Sequence, residues 1–198
     1  MSILDGAEFI SEYIIVGHGK SLQGKGRGSE IDQYPTVRLK TFTKFHNEKD
    51  YGKRINFVCS STEVMHTTPK GAIEYWCYPK KGDWDKGREE KMKDRNYVIC
   101  LEETEKWNVK FRELSGHKDG AYGRNVSTGL AAIIICAERQ SPEKIILAGF
   151  DTLLDPSIPY ESVYNPGTKA CVNHLWQIEH DMLPEISEFY GVEIVPFE

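Results

Sequence analysis

Tyr13-Ile14-Ile15-Val16-Gly17-His18-Gly19 is the stretch on which the reading of the fold turns. A short apolar run that stops at two glycines reads as a buried strand ending in a tight turn. Such a turn at the carboxyl end of a parallel strand is where open α/β sheets bind ligands. Two nucleotide motifs can be tested on the same residues. Gly19-Lys20-Ser21 resembles the end of a P-loop, but the first glycine of that motif falls on Ile14, so the phosphate cradle is incomplete. Gly17-x-Gly19 opens a dinucleotide fingerprint whose third glycine falls on Leu22, and that motif fails as well.

Working outward, Gly24-Lys25-Gly26-Arg27-Gly28 allows either close backbone approach to a ligand or positive φ angles. Thr36 to Phe42 alternates apolar and polar side chains as a second strand would, and residues 55–59, 73–78 and 97–101 read as further strands. Residues 79–96 are charged and glycine-containing, the composition of an exposed insertion, and include Asp83-Trp84-Asp85, a D-x-D form used to hold metal-bound nucleotides. A helix is expected from Glu102 to about Leu114, with Trp107 and Phe111 on its core face. His117, Lys118 and Asp119 follow in a loop.

Ser127-Thr128-Gly129 then opens an apolar helix, where a hydroxyl cap and free N–H groups form a natural phosphate site. The next strand, Lys144 to Phe150, completes a strand-helix-strand crossover. Residues 151–168 lack periodicity and read as a long loop of the kind that forms lids. The last helix is expected to start between Ala170 and Asn173 and to end at Gly191, with Pro184 placed to bend it, before a strand at 192–195.

The 198 residues suit one domain, and 39% apolar residues suffice for a core. A net charge of −5 does not advertise nucleic acid, although Lys20, Lys25, Arg27, Arg38, Lys40 and Lys44 gather in the first quarter as a local basic patch. Five widely spaced cysteines inside apolar runs read as buried free thiols of a reducing compartment, and no Cys/His cluster suggests zinc. With no leader pattern and no apolar run of about 18 residues, the expectation is a cytoplasmic protein without a membrane anchor.

Three groups of residues, in this order and spacing, resemble the motifs of the eukaryotic and viral type of sialyltransferase. The first is Val16 to Leu22 with Gly24, Gly26, Gly28, Ile31-Asp32 and Val37-Arg38; the second is Ser127-Thr128-Gly129-Leu130 with Ala148-Gly149-Phe150; the third is His174 with Glu179. The resemblance implies a single Rossmann-like α/β domain over 1–198, a sialyltransferase-like variant of the GT-A architecture with a mostly parallel central sheet flanked by helices. It implies an inverting, metal-independent glycosyltransferase that needs no cofactor beyond a nucleotide-sugar donor, CMP-linked in the family. The acceptor would be a saccharide, or a hydroxymethylated DNA base in a phage-encoded relative.

By the same resemblance Gly17, His18, Gly19, Ser21, Lys40, Ser127, Thr128 and Gly129 hold the nucleotide, His174 is the general base, and Glu179 holds the neighbouring motif or the ligand. His18 and Lys40 stand where the family has asparagine, which leaves the nucleotide open. Ile158 stands where the family has a leaving-group histidine, a duty that would pass to Tyr160, Tyr164, Lys169 or His180. Tyr13 precedes the first motif where a disulfide cysteine would be expected, in keeping with a bacterial or phage relative.

Imidazole suits removal of a hydroxyl proton near neutral pH. On one continuous helix His174 and Glu179 would point about 140° apart, so they form no simple dyad and at least one must act from the first turn. Two alternatives stay open: a catalytically silent nucleotide-binding protein, for which Ile158 and Lys40 speak, and a metal-dependent transferase acting through Asp83 and Asp85.

Overall fold

The computed structural model describes residues 10–39, 47–60, 72–77, 96–116, 125–159, 161 and 175–198. Their strands are β1 (Glu12–Val16), β2 (Thr36–Leu39), β3 (Phe57–Ser60), β4 (Ile73–Trp76), β5 (Tyr97–Ile99), β6 (Lys144–Ala148) and β7 (Glu193–Pro196). All pair in parallel in one seven-stranded sheet of order β5-β4-β3-β2-β1-β6-β7. The expected mostly parallel α/β sheet is thus wholly parallel among the described strands. The helices are α1 (Gly28–Ile31), α2 (Glu48–Tyr51), α3 (Leu101–Ser115), α4 (Thr128–Gln140), α5 (Asp151–Leu154) and α6 (Trp176–Tyr190), with a 3₁₀ turn at Lys20–Leu22.

The core lies on both faces of the sheet. On one face α4, apolar from Leu130 to Ala137, packs with α3 and α6 over Ile15, Val37, Ile145 and Leu147. On the other, Ile14, Val16, Ile146 and Ala148 meet Leu22, Ile31 and Tyr51. Trp107 and Phe111 are wholly buried, as their spacing on α3 predicts. Tyr13, at the position where a disulfide cysteine was expected, instead donates its hydroxyl to Gln140 Oε1 at 3.1 Å. Gln140 donates in turn to the Tyr75 hydroxyl at 2.8 Å, so hydrogen bonds tie the end of α4 to the sheet. Cys59, Cys77, Cys100 and Cys136 are buried free thiols, and no described helix is long and apolar enough to cross a membrane.

Three expectations need correction. β2 does not alternate between core and solvent: all four of its residues are buried, because a strand inside a parallel sheet is covered on both faces. Arg38 survives there because its guanidinium donates to the carbonyls of Arg54 at 2.9 Å and Tyr51 at 2.8 Å. Burial still pulls its pKa down to about 10, against the opposing pull of Asp32. The stretch after β6 is not loop throughout, since Asp151–Leu154 forms one helical turn. The last helix begins at Trp176, later than its periodicity suggests, because Leu175 as N-cap has φ −99° and ψ 70°. It contains Pro184 and ends at Gly191, whose φ of 64° is left-handed. The charged insertion, with Asp83 and Asp85, lies outside the described residues apart from Asn96.

Candidate functional site

From β1 the chain builds β2 to β5 outward on one side, then returns to place β6 and β7 on the other. The loops leaving β1 and β6 therefore diverge, and a crevice opens at the carboxyl ends of those strands, the switch point of an open sheet. Gly17 N–H donates to the Ala148 carbonyl and Gly19 N–H to that of Gly149, both at 2.8 Å. A Cβ at Gly17 would lie 2.5 Å from the Gly149 oxygen, and one at Gly19 would lie 2.7 Å from the Asp151 carboxylate. These two glycines are required first by the contact between the loops.

Asp151 Oδ2 accepts the Ser21 N–H at 3.0 Å. From beneath, the buried Tyr51 donates its hydroxyl to the Gly19 carbonyl at 2.9 Å. Burial, with the nearby Asp151 and Asp50 carboxylates, raises the Tyr51 pKa, so the phenol stays a donor.

The third wall is the start of α4. Ser127 Oγ caps the helix by accepting the Leu130 N–H at 3.1 Å, and the Ser127 N–H donates to Glu179 Oε1 at 2.7 Å. Thr128 and Gly129 open the helix, where backbone N–H groups lack intrahelical acceptors and favour an anion. The close approach that Gly129 permits is taken by the Phe150 ring, 3.0 Å from where its Cβ would stand. His180 Nδ1 lies 2.9 Å from the Leu153 carbonyl, joining α6 to α5.

Together these segments enclose a cavity of about 150 Å³ lined by Gly17 to Gly19, Leu39, Ser127 to Gly129, Gly149 to Leu153, Glu161 and Trp176. Its described lining holds two carboxylates and no lysine or arginine. Lys20 pairs with Glu161 at 2.9 Å, with both side chains partly in solvent.

Of the residues expected to hold nucleotide, Gly17, His18, Gly19, Ser127, Thr128 and Gly129 meet on this wall, whereas Ser21 is exposed and gives its N–H to Asp151. Glu179 is 1% exposed and reaches the site through Ser127. His174, Lys40, Tyr160, Tyr164 and Lys169 lie outside the described residues. Asp151, Thr152 and Trp176 were not singled out from sequence; the clue for the first two is their place directly after the Gly149-Phe150 strand end.

Of the two alternatives for the glycine loop, positive φ holds at Gly24 and Gly26, and their N–H groups donate to the Asp50 carboxylate at 2.7 and 2.8 Å. Of the basic residues gathered in the first quarter, Lys25 is exposed, and Lys40 and Lys44 lie outside the described residues. Arg38 is buried, Lys20 pairs with Glu161, and Arg27 pairs with Glu30 at 2.7 Å while covering the Phe197 ring.

No family model matches the sequence, and no curated protein matches it. Solved structures do. A mammalian sialyltransferase in complex with Gal-beta-1-3GalNAc-ortho-nitrophenol superposes with a TM-score of 0.57 at 18% identity, over 93% of this chain and 68% of that one. The Campylobacter jejuni sialyltransferase CstII, in complex with the substrate analogue cytidine-5'-monophosphate, gives 0.60 at 12% identity over 96% and 80%. The monofunctional alpha-2,3-sialyltransferase Cst-I of the same organism gives 0.58 at 14% over 94% and 75%. The chain has a sialyltransferase-like fold.

Proposed function

We propose that this chain is a glycosyltransferase that binds a nucleotide-activated sugar at the β1/β6 switch point and moves the sugar to an acceptor hydroxyl. One observation carries the reading: residues 17–19, 127–129 and 149–153, far apart in sequence, line a single cavity at the carboxyl edge of the sheet. The likeness to enzymes that include a CMP complex supports a CMP-linked donor. A saccharide acceptor is favoured over a modified DNA base by the likeness to a sialyltransferase in complex with Gal-beta-1-3GalNAc-ortho-nitrophenol.

In this reading His174, two residues before Trp176 in the sequence, takes the proton of the acceptor hydroxyl as that oxygen attacks the anomeric carbon. Attack opposite the departing phosphate inverts the anomeric centre. The negative charge growing on the phosphate is met by the N–H groups of Thr128 and Gly129 and by the hydroxyls of Ser127 and Thr128, a preorganised arrangement that asks for no metal ion. Glu179 holds the Ser127 backbone so that this turn does not shift during the reaction.

The test is release of nucleotide from CMP-activated sugars by the purified protein, with and without saccharide acceptors and with and without chelator. Acceptor-dependent release that persists in chelator and is reduced at least about 100-fold in His174→Ala supports the reading. Undiminished release by that variant, or none from wild type, contradicts it; loss in chelator would favour action through Asp83 and Asp85. Nucleotide binding without turnover would favour the silent alternative, for which Ile158 speaks.

A further inference from the structure

Thr152 follows Asp151 in the turn after β6 and lines the cavity. It is 5% exposed, and its Oγ1 is buried with no hydrogen-bond partner among the described residues. A hydroxyl so placed has given up its bonds to water and received none in exchange, an arrangement native proteins largely avoid. Valine would have the same shape without that cost. The residue lines the cavity with its hydroxyl covered, and a change of its χ1 rotamer brings that oxygen to a ligand in the cavity and gives it the partner it lacks.

The neighbouring side chains indicate which part of a ligand that is. Asp151 and Glu161 line the same cavity, and their carboxylates accept hydrogen bonds and repel phosphate. A phosphate is drawn instead to the first turn of α4. What remains for the Asp151-Thr152 turn is the part of a nucleotide that carries hydroxyl or amino donors.

We infer that Thr152 is a donor-binding residue whose hydroxyl hydrogen-bonds the nucleoside portion of the activated sugar. This rests on the reading of the cavity as a nucleotide site. The shared chemistry, a nucleoside hydrogen-bond donor, can come from the ribose hydroxyls or from the amino group of the base. Thr152 would then set donor affinity and selectivity without touching the reacting atoms.

The experiment titrates CMP, 2',3'-dideoxy-CMP and UMP into wild type, Thr152→Val and Thr152→Ser by calorimetry, and records the melting temperature of each protein without ligand. Thr152→Val is expected to melt at or above the wild-type temperature yet bind CMP about three- to tenfold more weakly. The deficit should vanish for the dideoxy nucleotide if the ribose is contacted, or for UMP if the base amino group is. Thr152→Ser, which keeps the hydroxyl, should retain wild-type selectivity among the three nucleotides.

Equal weakening of all three nucleotides, unchanged affinity, or a clearly lowered melting temperature in Thr152→Val would each overturn the inference. The last would show that the hydroxyl serves the fold. Wild-type protein that binds none of the three would instead remove the nucleotide reading of the cavity, a result distinct from a failure of Thr152 alone.

Discussion

Glu179 Oε1 accepts the backbone N–H of Ser127 at 2.7 Å, joining the first turn of α6 to the start of α4 across 52 residues of sequence. Both residues are buried, so the bond is shielded from water and a lost acceptor leaves an N–H without compensation. Glu179→Ala is expected to cost about 1–3 kcal/mol of stability and to weaken nucleotide binding with it, whereas Glu179→Gln, which keeps an amide oxygen, should lose less of both. Chemical denaturation paired with nucleotide titration checks this; equal behaviour of the two variants would show that the bond does not organise the site.

Gly17 sits where the two switch-point loops touch. With a Cβ only 2.5 Å from a backbone oxygen, Gly17→Ala forces the loops apart instead of turning aside a flexible side chain. Overpacking of this kind costs about 1–3 kcal/mol. The expected result is a lowered denaturation midpoint together with lost nucleotide affinity; a variant as stable as wild type would contradict the contact.

Much of this arrangement was legible in the sequence, and the reason is local. An apolar run ending in Gly17-His18-Gly19 and a serine opening an apolar helix each state their structure within a few residues, so the strand, the turn and the cap could be read directly. The supporting contacts could not. Asp50 as acceptor for Gly24 and Gly26, Tyr51 under Gly19, and Asp151 against Gly19 join segments whose pairing exists only after folding. The late start of α6 was hidden for another reason, since its apolar period continues backward through Leu175 while the backbone there does not.

Asp50 provides a titration test. Hydrogen bonds from Gly24 N–H and Gly26 N–H hold its carboxyl below the ordinary value of 3.8. A folded-state pKa lowered in this way contributes stability that is complete above about pH 4 and is lost as pH falls through the folded value. In an NMR titration the Gly24 and Gly26 amides should shift with a midpoint below 3.8. A midpoint at or above that value would mean the carboxylate does not hold the loop in solution.

The buried thiols should be inert. Burial, with Glu103 nearby, pushes Cys100 up to about 11, and burial raises Cys136 as well. Thiolate is the reactive form, so alkylation at about pH 8 mapped by mass spectrometry should leave Cys59, Cys77, Cys100 and Cys136 unmodified in native protein and label all four in denaturant. Rapid native labelling of Cys100 would contradict its burial at the start of α3.

The switch-point cavity as a donor site is tested most directly by a crystal structure of the protein soaked with CMP. Density for the nucleotide between residues 17–19 and 149–153, with its phosphate on the N–H groups of Thr128 and Gly129, is the predicted result. Nucleotide bound away from these residues, or a phosphate facing Asp151 and Glu161, would contradict it.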